Sequence, residues 1–247
     1  MVHFDETSIR VNGKNHWVHN SSNTEATYQT VSPKRGAIGI EENGVLADFD
    51  GIAVHDCWRS YWDFDCEGHA VCCAHLLREL EGVKTTYPDH TWATEFAGLL
   101  MDMKTTKEQA LSAGKRSLPE DILESFSTRY DSIMEKASEQ CPMPIVKHNK
   151  RGPVKKTFEG NLICRLKDLK DSVCMFVHRF EVPFDNNLAE RDVRNVKTKA
   201  KVSGCFRTLE GAEEYIGIRS FLSTAAKHNM DSYSALTSAF QGKYSTF

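Results

Sequence analysis

The chain has 247 residues, of which 40% are hydrophobic and 26% charged, a composition typical of a globular protein that buries a sizeable core. No segment approaches the roughly 18 consecutive apolar residues of a transmembrane helix, and the first residues lack the basic and apolar regions of a signal peptide. The eight cysteines show no C-x-x-C spacing, which is typical of reduced thiols. These features exclude a membrane-spanning protein and favour a cytoplasmic one.

The formal net charge is −3, which taken alone argues weakly against a polyanionic partner. The charges are unevenly distributed, because residues 1–100 carry a net charge of −8 and residues 146–207 a net charge of +8. A separate basic segment of this kind indicates a surface for nucleic acid.

The first 60 residues favour β-strands. Apolar residues alternate with polar ones in two short runs, and Asn12-Gly13 then separates two β-prone segments, which is the strongest short signal for a hairpin. A third β-prone run ends at Pro33, and the run over residues 51–56 has the apolar character of a short buried strand that stops at Asp56. We therefore expect a three-stranded antiparallel meander, followed after a crossover by a fourth strand.

From about Val71 onward the apolar spacing becomes helical. Residues 141–158 contain three prolines, a glycine and a cluster of basic residues, which predicts a loop or a boundary within the fold. No internal repeat is present, and an N-terminal sheet followed by helices predicts an α/β or α+β protein. Helices are predicted from about Val71, over 91–112, 119–140 and 160–180, from about Asn187, and over 210–228.

Two aspartates occupy positions that suit a metal site. Asp5 lies on the first predicted strand, and Asp56 lies at the end of the fourth, where open α/β sheets place their functional residues. If these strands are neighbours, the two carboxylates could converge on a divalent cation such as Mg²⁺, which prefers oxygen ligands. The alternative is that both residues merely end strands, and composition alone favours that alternative.

The segment over residues 184–194 also has two interpretations. Asn187 as an N-cap, with Glu190 three residues later, resembles a capping box. A capping box does not explain why Glu190, Arg194, Lys197 and Lys201 fall on one helical stripe, whereas a metal ligand beside a phosphate-binding surface would. A solvated charged face remains the competing explanation.

A third cluster comprises His69, Cys72 and His75, which recur at three-residue intervals. A structural zinc site needs a fourth ligand, and usually two separated ligand pairs. Cys57 and Cys66 are possible additional ligands, but no paired spacing supports them. Simple packing of these side chains is the favoured interpretation, and zinc is the minority one.

Taken together, four runs resemble the transposases of the insertion-sequence-66 family. They follow the family's order from about residue 3 to residue 242. The second and third runs are long and specific. The four runs are GIAVHDCWRSY, GHAVCCAHLLREL, VPFDNNLAERDVRNVKTKAKVSGCFRT and IRSFLSTAAKHN.

This resemblance implies a ribonuclease-H-like mixed sheet with a mainly helical insertion between its second and third acidic residues. By motif position, the three acids are Asp5, Asp56 and Glu190. Three clustered carboxylates repel one another, so at least one is expected to have a raised pKa in the absence of metal.

The same resemblance implies three consecutive parts of the chain. Residues 1–85 form the first part of the catalytic core, with the first two acids. Residues 86–158 form the helical insertion and the basic loop, and residues 159–247 form the helical remainder of the core, with the third acid.

The implied chemistry is phosphoryl transfer with two Mg²⁺ (or Mn²⁺) ions held by the three acids. Water would cleave at a transposon end, and the freed 3′-hydroxyl would attack target DNA. The implied partners are double-stranded DNA, further copies of the chain assembled on it, and accessory transposition proteins. The residues expected to contact the DNA backbone are Arg191, Arg194, Lys197 and Lys201.

Members of the family usually carry a long N-terminal region with DNA-recognition and zinc-binding parts before the first acid. Asp5 lies close to the start of this sequence, so we expect an N-terminally truncated transposase. Two alternatives to a transposase catalytic domain stay open. One is a non-catalytic remnant that binds DNA or a transposition partner, and the other is a structure-selective nuclease built on the same core.

Overall fold

A computed structural model describes residues 1–142 and 156–243. The chain divides into two compact units, one formed by Met1–His69 and Asn186–Phe247 and the other by Ala70–Asp185. Most of the loop predicted over residues 141–158 lies outside the described residues. The described part combines a five-stranded mixed sheet with nine α-helices, in agreement with the predicted α+β class.

The sheet has the strand order β3-β2-β1-β4-β5. Strand β1 pairs antiparallel with β2, β2 pairs antiparallel with β3, and β1 pairs parallel with β4. The predicted meander and the fourth strand after a crossover are therefore confirmed. The strands are β1 (Val2–Val11), β2 (Lys14–Ser22), β3 (Thr27–Ser32), β4 (Ile52–His55) and β5 (Gly68–Val71).

The turn between β1 and β2 explains the hairpin signal. Asn12 has φ 47° and Gly13 has φ 73°, the left-handed backbone that a two-residue turn of type I′ requires at both positions. Glycine adopts this conformation without strain and asparagine tolerates it. The turn fixes the register in which Val11 lies opposite Lys14.

The described α-helices range in length from 7 to 21 residues, and a 3-10 helix over Arg59–Asp63 follows β4. The α-helices are α1 (Ala37–Asn43), α2 (Cys73–Thr86), α3 (Trp92–Ser112), α4 (Glu120–Gln140), α5 (Phe158–Asp168), α6 (Lys170–His178), α7 (Asn187–Ser203), α8 (Leu209–Lys227) and α9 (Ser232–Phe240).

Both faces of the sheet in the first unit are covered. Successive residues of a strand point to opposite faces, and on β1 Phe4 and Ile9 belong to different apolar clusters. Phe4 packs with Tyr61 and Ile40 on the face covered by α1 and the 3-10 helix. Ile9 packs with Val196 of α7, and with residues of α8, on the other face.

The second unit is helical and has its own core. Trp92 and Phe96 of α3 are fully buried, and Glu159 of α5 accepts a hydrogen bond from Nε1 of Trp92 at 2.6 Å. The helix predicted over residues 160–180 is two helices, because the backbone at Leu169 (φ −112°, ψ 23°) leaves the helical range and separates α5 from α6. Its apolar spacing continues across the break, so periodicity alone does not reveal it.

Candidate functional site

The first two predicted acids lie on neighbouring parallel strands. Strand β1 pairs with β4 so that Val2 lies opposite Ala53 and His3 opposite Val54. Continuing this register by two residues brings Asp5 of β1 opposite Asp56, which directly follows β4. Because adjacent strands lie roughly 4.8 Å apart, the two residues are neighbours at the end of β4.

Each of these acids is held in the same way. Oδ1 of Asp5 accepts a hydrogen bond from the backbone N–H of Glu6 at 2.9 Å, and Oδ1 of Asp56 accepts one from the N–H of Trp58 at 2.8 Å. Within the described part of the chain, Oδ2 of neither acid has a hydrogen bond. One oxygen of each carboxylate is therefore fixed by the backbone, and the other is available to a ligand.

The alternation along β1 shows which face Asp5 occupies. Asp5 has the same parity as His3 and Ile9, and Ile9 packs against the α7 side of the sheet. Phe4 and Glu6 have the opposite parity and face Tyr61 on the other side. Asp5 therefore points toward the face covered by α7, the helix that carries Glu190.

Asn186 connects the start of α7 to the start of β1. Its side chain is buried, its Oδ1 accepts a hydrogen bond from Nδ1 of His3 at 2.8 Å, and its Nδ2 donates to the carbonyl oxygen of Phe4 at 2.7 Å. From this point, the four residues to Glu190 advance the helix by about 6 Å, while one or two strand residues to Asp5 advance β1 by about 3 to 7 Å. Asp5 and Glu190 therefore each lie within about 7 Å of the Asn186 contact, measured along their own element.

The start of α7 differs from the predicted capping box. The helix begins at Asn187, so Asn186 and not Asn187 occupies the N-cap position, and the Asn186 side chain makes no capping hydrogen bond. An asparagine at this position usually caps the helix, but here its side chain is used to hold β1. The predicted capping box therefore identified the start of a helix correctly but placed its N-cap one residue too late.

Asp5 has an unusual protonation equilibrium. Burial, the neighbouring Glu6 carboxylate and the Asp56 carboxylate raise the pKa of Asp5 from 3.8 to about 7, against the opposing effects of Lys197 and the Glu6 N–H. A raised pKa was expected from mutual repulsion among the acids, but burial is its largest cause. Metal-free Asp5 is therefore about half protonated near neutral pH, and a cation that binds there would displace the proton.

Glu6 is a further acid beside the site that the sequence did not single out. Its side chain is only 3% exposed. Its Oε1 accepts hydrogen bonds from Nε and Nη2 of Arg35 at 3.1 and 2.8 Å, and its Oε2 accepts one from the Tyr61 hydroxyl at 2.5 Å. Arg35 in turn lies between the rings of Trp17 and Trp58. These partners are distant in sequence, so no local motif could have revealed them.

Two histidines brace the end of β4. Nδ1 of His55 donates to the carbonyl oxygen of Asp56 at 2.5 Å, Nε2 of His69 donates to that of Phe64 at 3.0 Å, and Nε2 of His55 lies 2.7 Å from Nδ1 of His69. Because carbonyl oxygens only accept, the two facing nitrogens need one further proton to bond to each other. Burial lowers the pKa of His55 to about 3, so His55 does not readily take up this additional proton.

The same contacts bear on the possible zinc site. Both ring nitrogens of His69 are engaged with His55 and Phe64, so His69 offers a metal no nitrogen without losing one of these contacts. Cys72 and His75, in the second unit, have ligand atoms within 4.8 Å of each other. A structural zinc site usually has four protein ligands, and His69 as placed does not supply one.

The four cations predicted to contact DNA all lie on α7 and are all exposed. None of them forms an ion pair with another residue in the ranges 1–142 and 156–243. Unpaired cations on one helix form a surface suited to a polyanion. The residues are Arg191, Arg194, Lys197 and Lys201.

Comparison with known proteins gives one family. The model of the family described as "Transposase IS66 family" matches residues 1–214, a range that includes Asp5, Asp56 and Glu190. Searches of curated proteins and of solved structures give no significant match. Among the described residues, no helix combines the length and the apolar content needed to cross a membrane.

Proposed function

This chain belongs to the IS66 family of transposases, and on that premise we propose that it cleaves and joins DNA strands by metal-dependent phosphoryl transfer. Asp5, Asp56 and Glu190 are the proposed metal-binding acids. We propose that the sheet of the first unit is a ribonuclease-H-like core. In this sheet, β1 to β3 form an antiparallel meander and β4 pairs parallel with β1. The first two acids therefore occupy neighbouring positions.

The observation that carries this proposal is the pairing of Asp5 with Asp56. Two carboxylates from neighbouring strands each have one oxygen fixed by a backbone N–H and a second oxygen available for a ligand. Oxygen donors of this kind suit Mg²⁺ and Mn²⁺. The raised pKa of Asp5 fits the same use, because a buried acid beside other carboxylates is stabilised in its charged form by a cation.

The contributions of the chain's own residues follow from this arrangement. When bound, divalent ions stabilise the attacking and leaving oxygens of an in-line displacement at phosphorus. Asp5 and Asp56 would hold the cation through the carboxylate oxygens that no backbone N–H occupies, and Asp5 would give up its proton to do so. Asn186 ties the helix that carries Glu190 to the strand that carries Asp5, which supports Glu190 as the third acid.

DNA binding is the second part of the proposed function. The four exposed cations of α7 follow Glu190 along the same helix, and we assign them to contacts with the DNA backbone. Each phosphate neutralised by a cation contributes about 0.9 to the slope of log affinity against log salt concentration. Replacing Arg194 and Lys197 by alanine should therefore lower that slope by about 2, as measured by fluorescence anisotropy with a labelled duplex.

Strand cleavage by the purified chain tests the catalytic proposal. Supercoiled plasmid and a labelled linear duplex are incubated with the chain in Mg²⁺ or Mn²⁺, and nicked products are quantified. Wild-type chain should nick DNA and EDTA should stop the reaction. Asp56→Asn and Glu190→Gln should each lower the rate by about 100-fold or more, because loss of even an outer-shell partner of a metal ligand costs about 10- to 100-fold.

Matched controls separate loss of a ligand from loss of charge. Asp50→Asn and Glu213→Gln change exposed acids in the same way and should cut at the wild-type rate. Unchanged cleavage by both Asp56→Asn and Glu190→Gln would refute the metal-site assignment. A wild-type chain that binds DNA in a salt-dependent way and never cuts it would instead support a non-catalytic DNA-binding member of the family.

A further inference from the structure

The tip of the β1–β2 hairpin is joined to the segment that follows α7. The backbone N–H of Phe206 donates to the carbonyl oxygen of Arg10 at 2.8 Å, and the N–H of Asn12 donates to the carbonyl oxygen of Phe206 at 2.8 Å. The N–H of Gly13 donates to Sγ of Cys205 at 3.4 Å. The hairpin tip and the end of α7 therefore form one continuous surface within the first unit.

Two cations from different elements line a small cleft at this junction, which we call the tip cleft. It is lined by Arg10 of β1, Lys199 and Ala200 of α7, and residues 203–206. Its volume is about 10 Å³, roughly the space that one water molecule needs. A small molecule therefore does not enter it, and a ligand has to bind across its rim, as an extended polyanion can.

Both cations are held in place. Nη2 of Arg10 donates to the carbonyl oxygen of Gly13 at 2.6 Å. Nζ of Lys199 donates to Oγ of Ser203 at 2.7 Å and lies 5.8 Å from the centre of the Tyr215 ring. Neither cation forms an ion pair within the described part of the chain, so each keeps its charge and further N–H donors for a ligand. Groups fixed in this way lose less entropy on binding.

The chain around the tip cleft carries positive charge without nearby acids in sequence. The two segments that meet here, residues 7–24 and 193–209, contain no aspartate or glutamate. They contribute two further exposed cations, Lys14 and Arg207. The next acid along the chain, Glu210, is exposed and forms no ion pair with any described residue. Unneutralised charge of one sign attracts a polyanion.

The tip cleft lies on a different side of α7 from the cations already assigned to DNA. Lys199 is two residues from both Lys197 and Lys201, which is about 200° around an α-helix. Lys197 opposes the rise in the pKa of Asp5 that burial causes, so its side of α7 lies toward the proposed metal site. A DNA segment that follows Lys197 and Lys201 consequently leaves the tip cleft open to another segment.

We propose that the tip cleft binds the phosphodiester backbone of a second segment of duplex DNA. Arg10 and Lys199 contact its phosphates, and Lys14 and Arg207 add to the attraction. This inference rests on the proposed function, because joining DNA strands requires that the cut end and the DNA it attacks be held together. The helical face with Lys197 would hold one of these segments, and the tip cleft the other.

The reactivity of Cys205 provides the test, since this exposed thiol lines the tip cleft. The chain is treated with N-ethylmaleimide in EDTA, with and without duplex DNA, and modification is quantified by mass spectrometry. DNA at about ten times its Kd for the cleft should slow modification of Cys205 by about 10-fold, by mass action. Cys141, a partly exposed thiol of the second unit, is the internal control and should react at an unchanged rate.

Variants identify the groups that bind. Titrating the protection of Cys205 at several salt concentrations gives the affinity of the cleft and its salt dependence. The double variant Arg10→Gln/Lys199→Gln should lower the slope of log affinity against log salt by about 2, because each neutralised phosphate contributes about 0.9. The matched control is Lys115→Gln/Arg116→Gln, which removes two exposed cations that form no ion pair with described residues. It should leave the slope unchanged.

The variant Arg194→Ala/Lys197→Ala tests whether the two DNA segments are separate. It removes charge from the other side of α7, so saturating DNA should still protect Cys205. Loss of protection in this variant, with protection kept in Arg10→Gln/Lys199→Gln, would overturn the proposal and place one duplex along α7. Circular dichroism verifies that the variants are folded. If the Arg10/Lys199 double variant is not, Arg10→Gln alone carries the test with a slope lowered by about 1.

The remaining outcomes are also decisive. Unprotected Cys205 under saturating DNA, or equal slowing of Cys205 and Cys141, would overturn the proposal. Protection by a polyglutamate peptide and not by DNA would overturn it as well and indicate an acidic protein partner. Because binding is measured in EDTA, a wild-type chain that cuts no DNA contradicts only the proposed function. A chain that cuts DNA but leaves Cys205 unprotected contradicts only this inference.

Discussion

The protonation of Asp5 gives a direct prediction about stability. In the unfolded chain Asp5 loses its proton near pH 3.8, whereas in the folded, metal-free chain it does so near pH 7. Between these values the folded state binds more protons than the unfolded state, so the free energy of unfolding falls as pH rises. The difference between these two pKa values corresponds to about 4 kcal/mol in the free energy of unfolding. Asp5→Asn removes this dependence and should stabilise the metal-free chain at pH 8 by up to about 4 kcal/mol.

Urea unfolding in EDTA at pH 4, 6 and 8 measures this effect. Three of the four tryptophans, Trp17, Trp58 and Trp62, lie in the same unit as Asp5, so their fluorescence reports the unfolding of that unit. Wild type and Asp5→Asn should have similar stability at pH 4 and should diverge as pH rises toward 8. Asp50→Asn, which changes an exposed acid, should follow wild type throughout.

Adding Mg²⁺ or Mn²⁺ provides a second measurement of the same equilibrium. A cation that replaces the Asp5 proton should stabilise the wild-type chain at pH 8 more than at pH 6, because protons compete with it below pH 7. Asp5→Asn should gain far less stability from the metal. Parallel pH profiles for wild type and Asp5→Asn in EDTA would refute the reasoning, since Asp5 would then not carry the titration.

Three further predictions concern the contacts that build the site. Asn186→Ala removes both hydrogen bonds to β1 and should lower the free energy of unfolding, measured in urea, by about 2–4 kcal/mol. Asn195→Ala, an exposed change on the same helix, is the control. An equal loss in both variants would show that the hydrogen bonds of Asn186 do not stabilise the fold. Lys227→Met breaks the largely buried ion pair between Lys227 and Asp192 (2.9 Å) and should lower the free energy of unfolding by about 3–5 kcal/mol. The double variant that also carries Asp192→Asn should recover part of this loss. Gly13→Ala forces alanine into a positive φ and should lower stability by about 1–2 kcal/mol, and an unchanged melting temperature would argue against the type I′ turn.

Local signals in the sequence were sufficient for the elements that depend on local physics. Asn12-Gly13 predicted the β1–β2 hairpin because a two-residue turn needs positive φ at both positions. The apolar stripe after Pro119 predicted α4, which begins at Glu120. The sequence also predicted that β4 ends before Asp56, because its apolar run is followed by this charged residue.

Elements set by distant contacts were not predictable in this way. Strand β5 and helix α1 are too short for a periodic signal, and α9 buries only Ala235. The use of Asn186 was missed because its cap position and its bonds to His3 and Phe4 are separated by more than 180 residues in sequence. The contacts of Arg35 with Trp17 and Trp58 were missed for the same reason, because only the folded chain brings these residues together.

The alternation of side chains along β1 bears on which of two glutamates is the better candidate partner of Asp5 in the proposed metal site. Glu6 is the nearer in sequence, but it points to the opposite face of the sheet, where Arg35 and Tyr61 occupy both of its oxygens. Recruiting Glu6 as a ligand would break these bonds and leave the Arg35 guanidinium without its acid. Glu190 lies on the helix that covers the Asp5 face. Glu190 therefore stays the proposed third ligand, and Glu6→Gln should not abolish metal binding.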